Sequence, residues 1–451
     1  MDIKALILAA GQGSRMKSNK PKVLFEILDK PMISCVHDNL KNAGVNRIVP
    51  IISPERMQVL EALDEGIEYV LQKETKGTGH AVMQAKNLLG DSDGITVIVA
   101  GDQPLINEEE IASLINYHKT NSCDMTMLTA IIDQPNGYGR VIKNGFQVQK
   151  IVEQKDLEEH QFKINEVNIS TYCFDNQKLF KYIEEIGDSN AQNEYYITDL
   201  VEIFNHNNLR VGSVPISNNN FSIGVNDLEG LAIANSIMKE YINLKHMKNG
   251  VQIVDTNSTY IGWDVKINND TVVYPNSIIT GNTVIGSGCI INSAQIKDSI
   301  IDDGCSVLSS YIYNSKVGTN TTVGPYAHIR ANSEIASECR IGNFVEVKNS
   351  VLKNEVKSAH LTYLGDSEIG EKTNVGCGVI TVNYDGEKKH KTIIGKESFI
   401  GSNVNLIAPI KIGNNVRIAA GSTVAVDEVE GGSLVIARSR ETIKNNYKKE
   451  K

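Results

Sequence analysis

Residues 261–291 read IGWDVK INNDTV VYPNSI ITGNTV IGSGCI I, so an aliphatic residue returns at every sixth position. The same period recurs from Val317 to Val347 and from Ile394 to Val424. A hexapeptide period is typical of a parallel β-helix, in which each repeat forms one short strand stacked on its neighbours. Small residues return four positions after each aliphatic. Two inward positions per repeat predict a wall and a corner, and three walls predict a triangular coil of about 18 residues.

Irregular steps in this repeat predict where the coil is shortened or interrupted. Five-residue steps around Ile296 and Ile312 predict walls that are one residue short. Between Thr381 and Ile394 the step is 13 residues, so residues 383–391 must leave the coil as a loop. The stretch from 352 to 364 also lacks the regular period.

The first half has a different organisation. Strand-like and helix-like segments alternate over residues 1–228, which predicts an α/β domain with a mostly parallel sheet. Such sheets bind ligands outside the carboxyl ends of their strands. Apolar residues at helical spacing then predict a linker helix over 229–249, and 250–451 hold the repeats and a tail. The predicted segments are strands Ala5–Ala9, Arg47–Ile52, Glu68–Leu71 and Ile95–Ala100, and helices Pro31–Ala43 and Gly79–Leu89.

Composition excludes several classes of protein. The net charge of −9 gives no support for a nucleic-acid partner. Seven cysteines without a close pair or metal-type spacing indicate a reducing compartment. The apolar start is short and leads into a Gly-rich segment, so a buried strand is favoured over a signal peptide. No apolar run is long enough to span a membrane, and we expect a cytoplasmic protein.

A Gly-rich turn directly follows the first predicted strand, in the sequence Leu8-Ala-Ala-Gly-Gln-Gly-Ser-Arg-Met16. Such a turn lets backbone N–H groups approach phosphates closely, and Arg15 and Lys22 add the positive charge that a triphosphate requires. A tight turn with two solvated cations is the alternative. Met16 stands where a dinucleotide fingerprint needs glycine, and no Gly-Lys-Ser/Thr follows as in a Walker A loop.

This segment, with Pro21-Lys22, resembles the signature of sugar-nucleotide pyrophosphorylases, which join a sugar 1-phosphate to a nucleoside triphosphate. Together with the hexapeptide repeat, the whole chain resembles the bacterial family of bifunctional N-acetylglucosamine-1-phosphate uridyltransferases and glucosamine-1-phosphate N-acetyltransferases. The resemblance implies a Rossmann-like nucleotidyltransferase domain over 1–228, the linker helix, and a left-handed β-helix acetyltransferase domain over 250–451. Further matching segments are Leu71-Gln72, Gly77–Ala81, Gly101-Asp102, Gly137–Arg140, Ile151–Glu153 and Gly224–Asn226.

The resemblance implies a UTP and sugar site in the first half. Asp102 ends an apolar strand at the ligand-binding edge, and Mg²⁺ takes one or two protein oxygens in addition to phosphate oxygens and waters. A turn-forming aspartate is the alternative. Asp102 and Asn226 are the implied Mg²⁺ ligands, and Arg15 and Lys22 stabilise charge as the sugar phosphate attacks the α-phosphorus of UTP. His80 is expected to be structural. The implied UTP and UDP-N-acetylglucosamine contacts are Leu8, Ala9, Ala10, Gly11, Lys22, Gln72, Gly77, Thr78, Ala100, Gly101, Asp102, Gly139, Glu153, Asn168 and Asn226.

One segment departs from the family. The family commonly has Glu-Ile-Asn-Thr-Gly, whereas this chain has Glu166-Val-Asn168-Ile-Ser170. The missing glycine could alter a backbone contact to the sugar. This segment therefore puts in question the sugar specificity that the resemblance implies.

In the second half, His360 falls within the irregular stretch. A neutral imidazole is a natural general base for an amine that attacks a thioester, and the family assigns that role to the matching histidine. A surface loop histidine is the alternative. Glu346 is expected to orient His360 or the substrate amine. The resemblance also implies sugar-phosphate contacts at Arg330, Lys348, Tyr363 and Asn374, and acetyl-CoA contacts at Cys377, Asn383, Tyr384, Ser402, Ala420 and Arg438.

These expectations favour a bifunctional enzyme that makes UDP-N-acetylglucosamine, a precursor for bacterial cell-wall synthesis. Acetyl-CoA would acetylate glucosamine 1-phosphate, and UTP would then convert N-acetylglucosamine 1-phosphate. The alternative is a single-activity pyrophosphorylase with a purely structural β-helix, and His360 with the 383–391 loop discriminates between them. A third possibility, an interaction protein with two inactive domains, is disfavoured because Asp102, Asn226, Arg15 and Lys22 occur together. The resemblance further implies a homotrimer with acyl sites between subunits.

Overall fold

The computed structural model describes residues 2–145 and 147–445. The chain divides into two units, residues 1–238 and 239–451. The division falls within one helix, Leu228–Lys248, where the sequence predicts the linker. Among the described residues, no helix is both long enough and apolar enough to cross a membrane.

A mixed sheet forms the centre of the first unit. Ile3–Leu8 lies between Arg47–Ile52 and Ile95–Ala100 and runs parallel to both. Glu166–Asp175 is antiparallel to both of its neighbours, and the hairpin Arg140–Asn144 with Gln147–Val152 pairs with it. The predicted mostly parallel sheet is therefore confirmed, with one antiparallel strand inserted. Across the sheet, the strand order is Val211–Pro215, Met125–Ile131, Glu166–Asp175, Ile95–Ala100, Ile3–Leu8, Arg47–Ile52 and Val70–Leu71.

Helices cover both faces of this sheet. One hydrophobic cluster takes Leu40 and Leu114 from two helices, and the other takes Val82 and Phe204 from two more. Burial of each such side chain stabilises the fold by about 1.5–3 kcal/mol. Asn107 shows how a helix begins, since its side chain accepts a hydrogen bond from the Glu110 N–H at 3.0 Å. The helices of this unit before Leu228 are Met32–Asn42, Thr78–Met83, Lys86–Leu89, Glu108–Thr120, Asn176–Tyr182 and Leu200–His206.

The single helix predicted over Gly79–Leu89 is wrong, because the structure has two helices, Thr78–Met83 and Lys86–Leu89. The side-chain amide of Gln84 donates to the His80 carbonyl at 3.1 Å, and the Gln84 N–H donates instead to Ala81. The carbonyl that would continue the helix is thus satisfied by a side chain, and the turn tightens at this point.

The second unit is a triangular parallel β-helix with three walls. Within the described residues, wall A has 11 strands, and walls B and C have 10 each. Wall A comprises Gln252–Ile253, Val272–Val273, Ile290–Asn292, Ser306–Leu308, Thr322–Val323, Arg340–Asn343, Lys357–His360, Asn374–Val375, Phe399–Ile400, Arg417–Ile418 and Leu434–Val435. Wall B comprises Tyr260–Ile261, Ile278–Thr280, Gln295–Lys297, Tyr311–Tyr313, His328–Ile329, Glu346–Lys348, Tyr363–Gly365, Ile380–Val382, Asn405–Ile407 and Thr423–Val424. Wall C comprises Lys266–Ile267, Val284–Ile285, Ile300–Ile301, Ser315–Val317, Ser333–Ile335, Val351–Leu352, Ser367–Ile369, Thr392–Ile394, Ile410–Ile412 and Glu428–Val429.

The inward positions are those that the repeat predicts. Ile279, Ile285 and Ile291 are fully buried, as are the small residues Thr283 and Cys289. Because parallel strands pair along each wall, the backbone polar groups of one coil are satisfied by the next. The aliphatic columns therefore form a core that is continuous along the axis.

Both irregular stretches are now explained. Residues 352–364 remain in the coil, because Ser358 is fully buried where an aliphatic is expected and pairs with Ile341 and Val375. Residues 383–391 do leave the coil, as the 13-residue step predicts, and wall C resumes at Thr392.

Candidate active sites

The Gly-rich turn and Asp102 leave the same edge of the first sheet. Leu8 and Ala100 end neighbouring parallel strands in register, and the Gly101 N–H donates to the Leu8 carbonyl at 2.9 Å. A Cβ at Gly101 would lie 3.2 Å from that carbonyl oxygen, so a side chain there would force the two chain segments apart. This edge is where parallel sheets bind ligands.

Gly13 makes the turn possible. Its φ of 64° lies in the left-handed region, and a Cβ there would lie 2.7 Å from the Lys22 Cβ. Both features exclude a side chain and bring the turn against Lys22. The short helical turn Ser14–Met16 then begins, and it carries Arg15.

The four charged and amide groups predicted for phosphate and metal binding lie together. The Lys22 ammonium contacts the Asp102 carboxylate and lies 3.2 Å from Oδ1 of Asn226. Arg15 donates to the same Asn226 oxygen at 2.8 Å. Two cations and two oxygen ligands from segments far apart in sequence therefore converge on one place. Only the fold brings Asn226 there, 211 residues after Arg15.

The residues predicted near the base form a second group. Gln72 is only 4% exposed, and its amide nitrogen lies 3.3 Å from the Gly77 carbonyl and 3.1 Å from Nδ1 of His80. Gly77 has a φ of 104°, and a Cβ there would lie 2.6 Å from the Tyr195 carbonyl oxygen. The Ile197 N–H donates to the Thr78 hydroxyl at 3.1 Å. His80 holds this arrangement together, in keeping with the predicted structural role.

The residues predicted at the sugar also lie together. The Asn168 N–H donates to the Gly139 carbonyl at 2.9 Å. Both carboxylate oxygens of Glu153 would lie 3.3 Å from a Cβ at Gly139, so this glycine leaves the carboxylate accessible. Burial raises the pKa of Glu153, and a hydrogen bond from Thr198 offsets only part of that shift.

Ser170 has a φ of 53°, in the left-handed region. It lies where the strand pairing shifts between Asn168 and Tyr172, and its N–H donates to Oδ1 of Asn168 at 3.2 Å. Glycine is the residue that adopts this conformation without strain. The serine at this position of the sequence therefore holds a backbone conformation that costs strain.

In the second unit, His360 faces Asn343. The two residues pair in register on wall A, and Nδ1 of His360 lies 2.5 Å from Oδ1 of Asn343. An amide oxygen only accepts hydrogen bonds, so Nδ1 carries the proton and Nε2 keeps its lone pair. The arrangement suits a general base. Asn343 was missed by sequence reasoning, because its role depends on the stacking of the coils.

Wall B presents a cluster of cations. Arg330 donates to Oε1 of Glu346 at 2.7 Å. The ammonium of Lys389, and after it Arg330, lowers the pKa of Lys348. Lys389 comes from the 383–391 loop and was not predicted. Glu346 is thus paired with Arg330, whereas the partner of His360 is Asn343, so an orienting role for Glu346 stays a prediction.

Asn383 connects this loop to wall B. Its amide nitrogen lies 2.5 Å from Oδ2 of Asp366 and 3.5 Å from the Tyr363 hydroxyl. A Cβ at Gly365 would lie 2.4 Å from that hydroxyl oxygen, so the glycine makes room for the Tyr363 ring. Tyr363 and Asn383 are therefore neighbours, as the prediction requires.

The 383–391 loop is held by its own side chains. Asp385 accepts from the Lys388 N–H at 2.7 Å, and Nε2 of His390 lies 2.6 Å from the other carboxylate oxygen. Tyr384 forms an antiparallel bridge with Lys389 and is 58% exposed. These contacts give the loop a defined conformation, and the Tyr384 hydroxyl donates to the Gly386 carbonyl within it.

The remaining predicted acetyl-CoA residues lie on consecutive coils. The Asn403 N–H donates to the Cys377 carbonyl at 2.7 Å, and the Gly421 N–H donates to the Ser402 carbonyl at 2.8 Å. A Cβ at Gly401 would lie 2.6 Å from the Ala420 nitrogen. Asn374, which was predicted at the sugar, lies within the wall A strand Asn374–Val375, and Arg438 is exposed after the final wall A strand, Leu434–Val435.

Two protein families match the two halves of the chain. The nucleotidyl transferase family matches residues 4–219, and the bacterial transferase hexapeptide family matches residues 314–349 and 391–425. The stacked walls and this match agree with a left-handed β-helix of hexapeptide repeats. The unmatched interval, 350–390, contains His360 and residues 383–390 of the loop. These halves define a class of protein, a nucleotidyltransferase joined to a hexapeptide acetyltransferase.

The relatives narrow this class. The Bifunctional protein GlmU of Geobacillus sp. (strain WCH70) is 46% identical over 445 residues, which cover 98% of this chain and 97% of that protein. That of Clostridium acetobutylicum is 44% identical over 98% and 97% of the two chains, and that of Clostridium beijerinckii 46% over 97% and 96%. The chain therefore belongs to the GlmU family of bifunctional proteins. It is a transferase with two activities, and the alternative of a single-activity pyrophosphorylase does not fit.

Proposed function

We propose that the Gly-rich turn, Arg15, Lys22, Asp102 and Asn226 form the site at which UTP reacts with N-acetylglucosamine 1-phosphate. The observation that supports this most directly is the convergence of Arg15 and Lys22 on Asn226, beside Asp102 at the ligand-binding edge. Transfer to the α-phosphorus needs no covalent enzyme intermediate, so it depends on positioning and charge neutralisation. Arg15 and Lys22 supply that charge.

Asp102 and Asn226 have the ligand chemistry that Mg²⁺ requires. Their oxygens are hard ligands, and both already approach the Lys22 ammonium, so they face one site of positive charge. No group of three or more His, Cys, Asp or Glu residues that could hold a metal ion occurs in the described ranges, but Mg²⁺ needs only one or two protein oxygens beside phosphate oxygens. Asp102 and Asn226 would hold the ion, which would supply positive charge beside the phosphates of UTP.

The first unit also offers groups for the base and the sugar. The Gln72 amide nitrogen is engaged by Gly77 and His80, which leaves the amide oxygen as the acceptor for the N–H of a uracil edge next to Gly77 and Thr78. Glu153 and Asn168 flank Gly139, where the missing Cβ leaves space. A carboxyl and an amide can hydrogen-bond the hydroxyl and acetamido groups of N-acetylglucosamine. The Leu8–Gly11 and Ala100–Gly101 backbones complete the proposed nucleotide contacts.

In the second unit, we propose that His360 is the general base for acetyl transfer to glucosamine 1-phosphate. Nε2 accepts a proton from the amine as the nitrogen attacks the acetyl-CoA thioester carbon, the C–S bond breaks, and the thiolate takes that proton from His360 so that coenzyme A leaves as the thiol. Arg330, Lys348 and Lys389 bind the phosphate, whose charge relieves the repulsion among the three cations. Tyr363 and Asn374 contact the sugar. Asn383, Tyr384, Cys377, Ser402, Ala420 and Arg438 hold acetyl-CoA.

We propose a homotrimer in which a neighbouring subunit covers the His360 corner. Three apolar side chains on that corner are more than half exposed, namely Tyr326, Phe344 and Leu361. The Tyr326 and Phe344 rings stack with centroids 5.6 Å apart. Exposed contiguous apolar surface marks an interface. The cytoplasm is the proposed location, in accord with the seven free cysteines.

The test uses the full-length protein with each substrate pair. We expect N-acetylglucosamine 1-phosphate formation from glucosamine 1-phosphate and acetyl-CoA, and UDP-N-acetylglucosamine formation from UTP in the presence of Mg²⁺. Chelation should stop only the second reaction. Absence of either product from folded protein would contradict the corresponding half of the proposal. Light scattering should give three times the chain mass, and a monomer or dimer would contradict the trimer.

A further inference from the structure

Arg56 holds two consecutive carbonyl groups of the Gly-rich turn. Nη1 donates to the Gly11 carbonyl at 2.8 Å, and Nη2 donates to the Gln12 carbonyl at 2.7 Å. The planar guanidinium presents its donors as a fork, which matches two acceptors side by side. Arg56 is therefore bound to the backbone of the turn itself.

The local backbone around Arg56 is unusual. The helical segment Pro54–Ala62 follows the strand Arg47–Ile52, and Arg56 is its non-helical residue, with φ −132° and ψ 35°. The Ser53 side chain caps the segment by accepting from Glu55. The kink at Arg56 thus occurs at the residue whose side chain reaches the turn.

The two hydrogen bonds fix the direction of the N–H groups in the turn. A trans peptide is planar, so its N–H points opposite to its carbonyl. Because the Gly11 and Gln12 carbonyls face Arg56, the N–H groups of Gln12 and Gly13 face away from it. Within residues 2–145 and 147–445, neither of these N–H groups has a hydrogen-bond acceptor. Two adjacent N–H groups held in one direction are suited to phosphate oxygens.

The other cations at this site are engaged elsewhere. Arg15 donates to Asn226, and Lys22 contacts Asp102 and Asn226. Neither is bonded to the carbonyls of the turn. Arg56 therefore has a distinct task, which is to hold the backbone while Arg15 and Lys22 present charge.

We propose that Arg56 is a positioning residue that preorganises the N–H groups of Gln12 and Gly13 for the triphosphate of UTP. This inference rests on the proposed uridyl-transfer function. A turn that is ordered before binding loses less conformational entropy when the nucleotide binds, so Arg56 lowers the KM for UTP. The chemical step depends on other residues and changes little.

The test compares Arg56→Ala, Arg56→Lys and the control Arg47→Ala in the full-length protein. Arg47 is also a partly exposed arginine with two hydrogen bonds, but these go to the Glu68 carboxylate, at 2.7 and 3.2 Å. We expect Arg56→Ala to raise the KM for UTP about 10-fold, with kcat within about 3-fold. Arg56→Lys should be intermediate, because an ammonium lacks the planar fork. Arg47→Ala should match the unmodified protein.

Limited trypsin cleavage after Arg15 and Lys17, without nucleotide, reports the order of the turn independently of catalysis. We expect faster cleavage in Arg56→Ala than in Arg47→Ala, with amide exchange of the buried strand Ile95–Ala100 unchanged as a check of folding. Equal cleavage and equal KM in the two alanine variants would overturn the inference. A raised KM with unchanged cleavage would also overturn it, since Arg56 would then contact the phosphates directly. If the unmodified protein performed no uridyl transfer, the proposed function would fail, while the cleavage rates would still decide whether Arg56 orders the turn.

Discussion

His360 and Asn343 occupy paired positions on consecutive coils of wall A, and Nδ1 of the histidine lies 2.5 Å from Oδ1 of the asparagine. This contact leaves Nε2 as the basic nitrogen. Since the two residues belong to stacked strands, the spacing between them is set by the backbone of the β-helix. The tautomer of the proposed base is thus a property of the fold.

His360→Ala is expected to lower the kcat for acetyl transfer by about 10²–10⁴-fold, because the variant lacks the imidazole that accepts the proton of the amine. Uridyl transfer, measured on the same preparation, should be unchanged and serves as the control. Loss of both activities in folded protein would contradict the assignment of the two reactions to separate sites.

Asn343→Asp tests the tautomer. A carboxylate next to Nδ1 favours the protonated imidazole and raises the pKa of the base. The acid limb of the kcat/KM profile for acetyl transfer should therefore move to higher pH. Asn343→Ala should lower the rate about 10-fold without that displacement. An Asn343→Asp profile that superimposes on the original would show that Asn343 does not face the base during the reaction.

Asp102→Ala is expected to lower uridyl transfer by at least about 10²-fold and to raise the Mg²⁺ concentration needed for half-maximal rate. Acetyl transfer should be unaffected. Titration of Mg²⁺ against the initial rate provides the measurement. An unchanged Mg²⁺ dependence would exclude Asp102 as a ligand.

Ser170→Gly should stabilise the first unit by about 0.5–1 kcal/mol, because glycine adopts the left-handed φ without strain. This corresponds to a rise of about 2 °C in Tm, measured by calorimetry. Ser213→Gly is the matched control, since Ser213 lies in the strand Val211–Pro215 without a positive φ. Ser213→Gly should destabilise the first unit by about 0.5–1 kcal/mol. Effects of equal sign at the two positions would refute the strain at Ser170.

The pH dependence of stability can be tested at Asp199. Burial, with Glu202 and Asp156 nearby, raises the pKa of Asp199 to about 6. The folded form then binds the proton more tightly than the unfolded chain, where the pKa is about 4. Stability is lost as the pH rises through this window. Asp199→Asn should be more stable than the original protein above pH 6, and the difference should vanish below about pH 4.

Asp38 provides a control of opposite sign. Burial alone would raise its pKa, but hydrogen bonds from His37 and Lys30 outweigh burial and lower the pKa to about 2. Asp38→Asn should therefore be less stable than the original protein above about pH 4, and the difference should disappear as the pH falls toward 2. Denaturant unfolding across the pH range measures both variants. If Asp199→Asn and Asp38→Asn changed stability in the same direction above pH 6, the opposite directions assigned to the two pKa shifts would be contradicted.

The parts of the fold that were predicted correctly are those with local signals. Arg47–Ile52 and Ile95–Ala100 are apolar runs with polar flanks, and the structure has these bounds. The 383–391 loop was predicted because the step between Thr381 and Ile394 is longer than six residues. The repeat pattern did not predict that Ser358 occupies an inward position, because a buried hydroxyl residue can replace an aliphatic without breaking the coil.

The residues that sequence reasoning missed act through contacts between distant segments. Arg56 lies 45 residues from Gly11, and Asn343 lies 17 residues from His360. Neither belongs to a motif with recognisable chemistry, and a lone arginine or asparagine is usually solvated. Lys389 was overlooked because its significance depends on where the loop folds back, beside Lys348. The resemblance supplied the residues that carry the proposed chemistry, but only the fold could supply these supporting contacts.

The 383–391 loop has a consequence for how such a protein can change over evolutionary time. The step from Thr381 to Ile394 is seven residues longer than the regular six, yet Thr392 still pairs with Ser367 on the preceding coil. An insertion at a corner therefore leaves the hydrogen bonds between the strands on either side unchanged. A β-helix can therefore gain or exchange functional loops at the corners of individual coils. Natural selection for stability then acts on the walls.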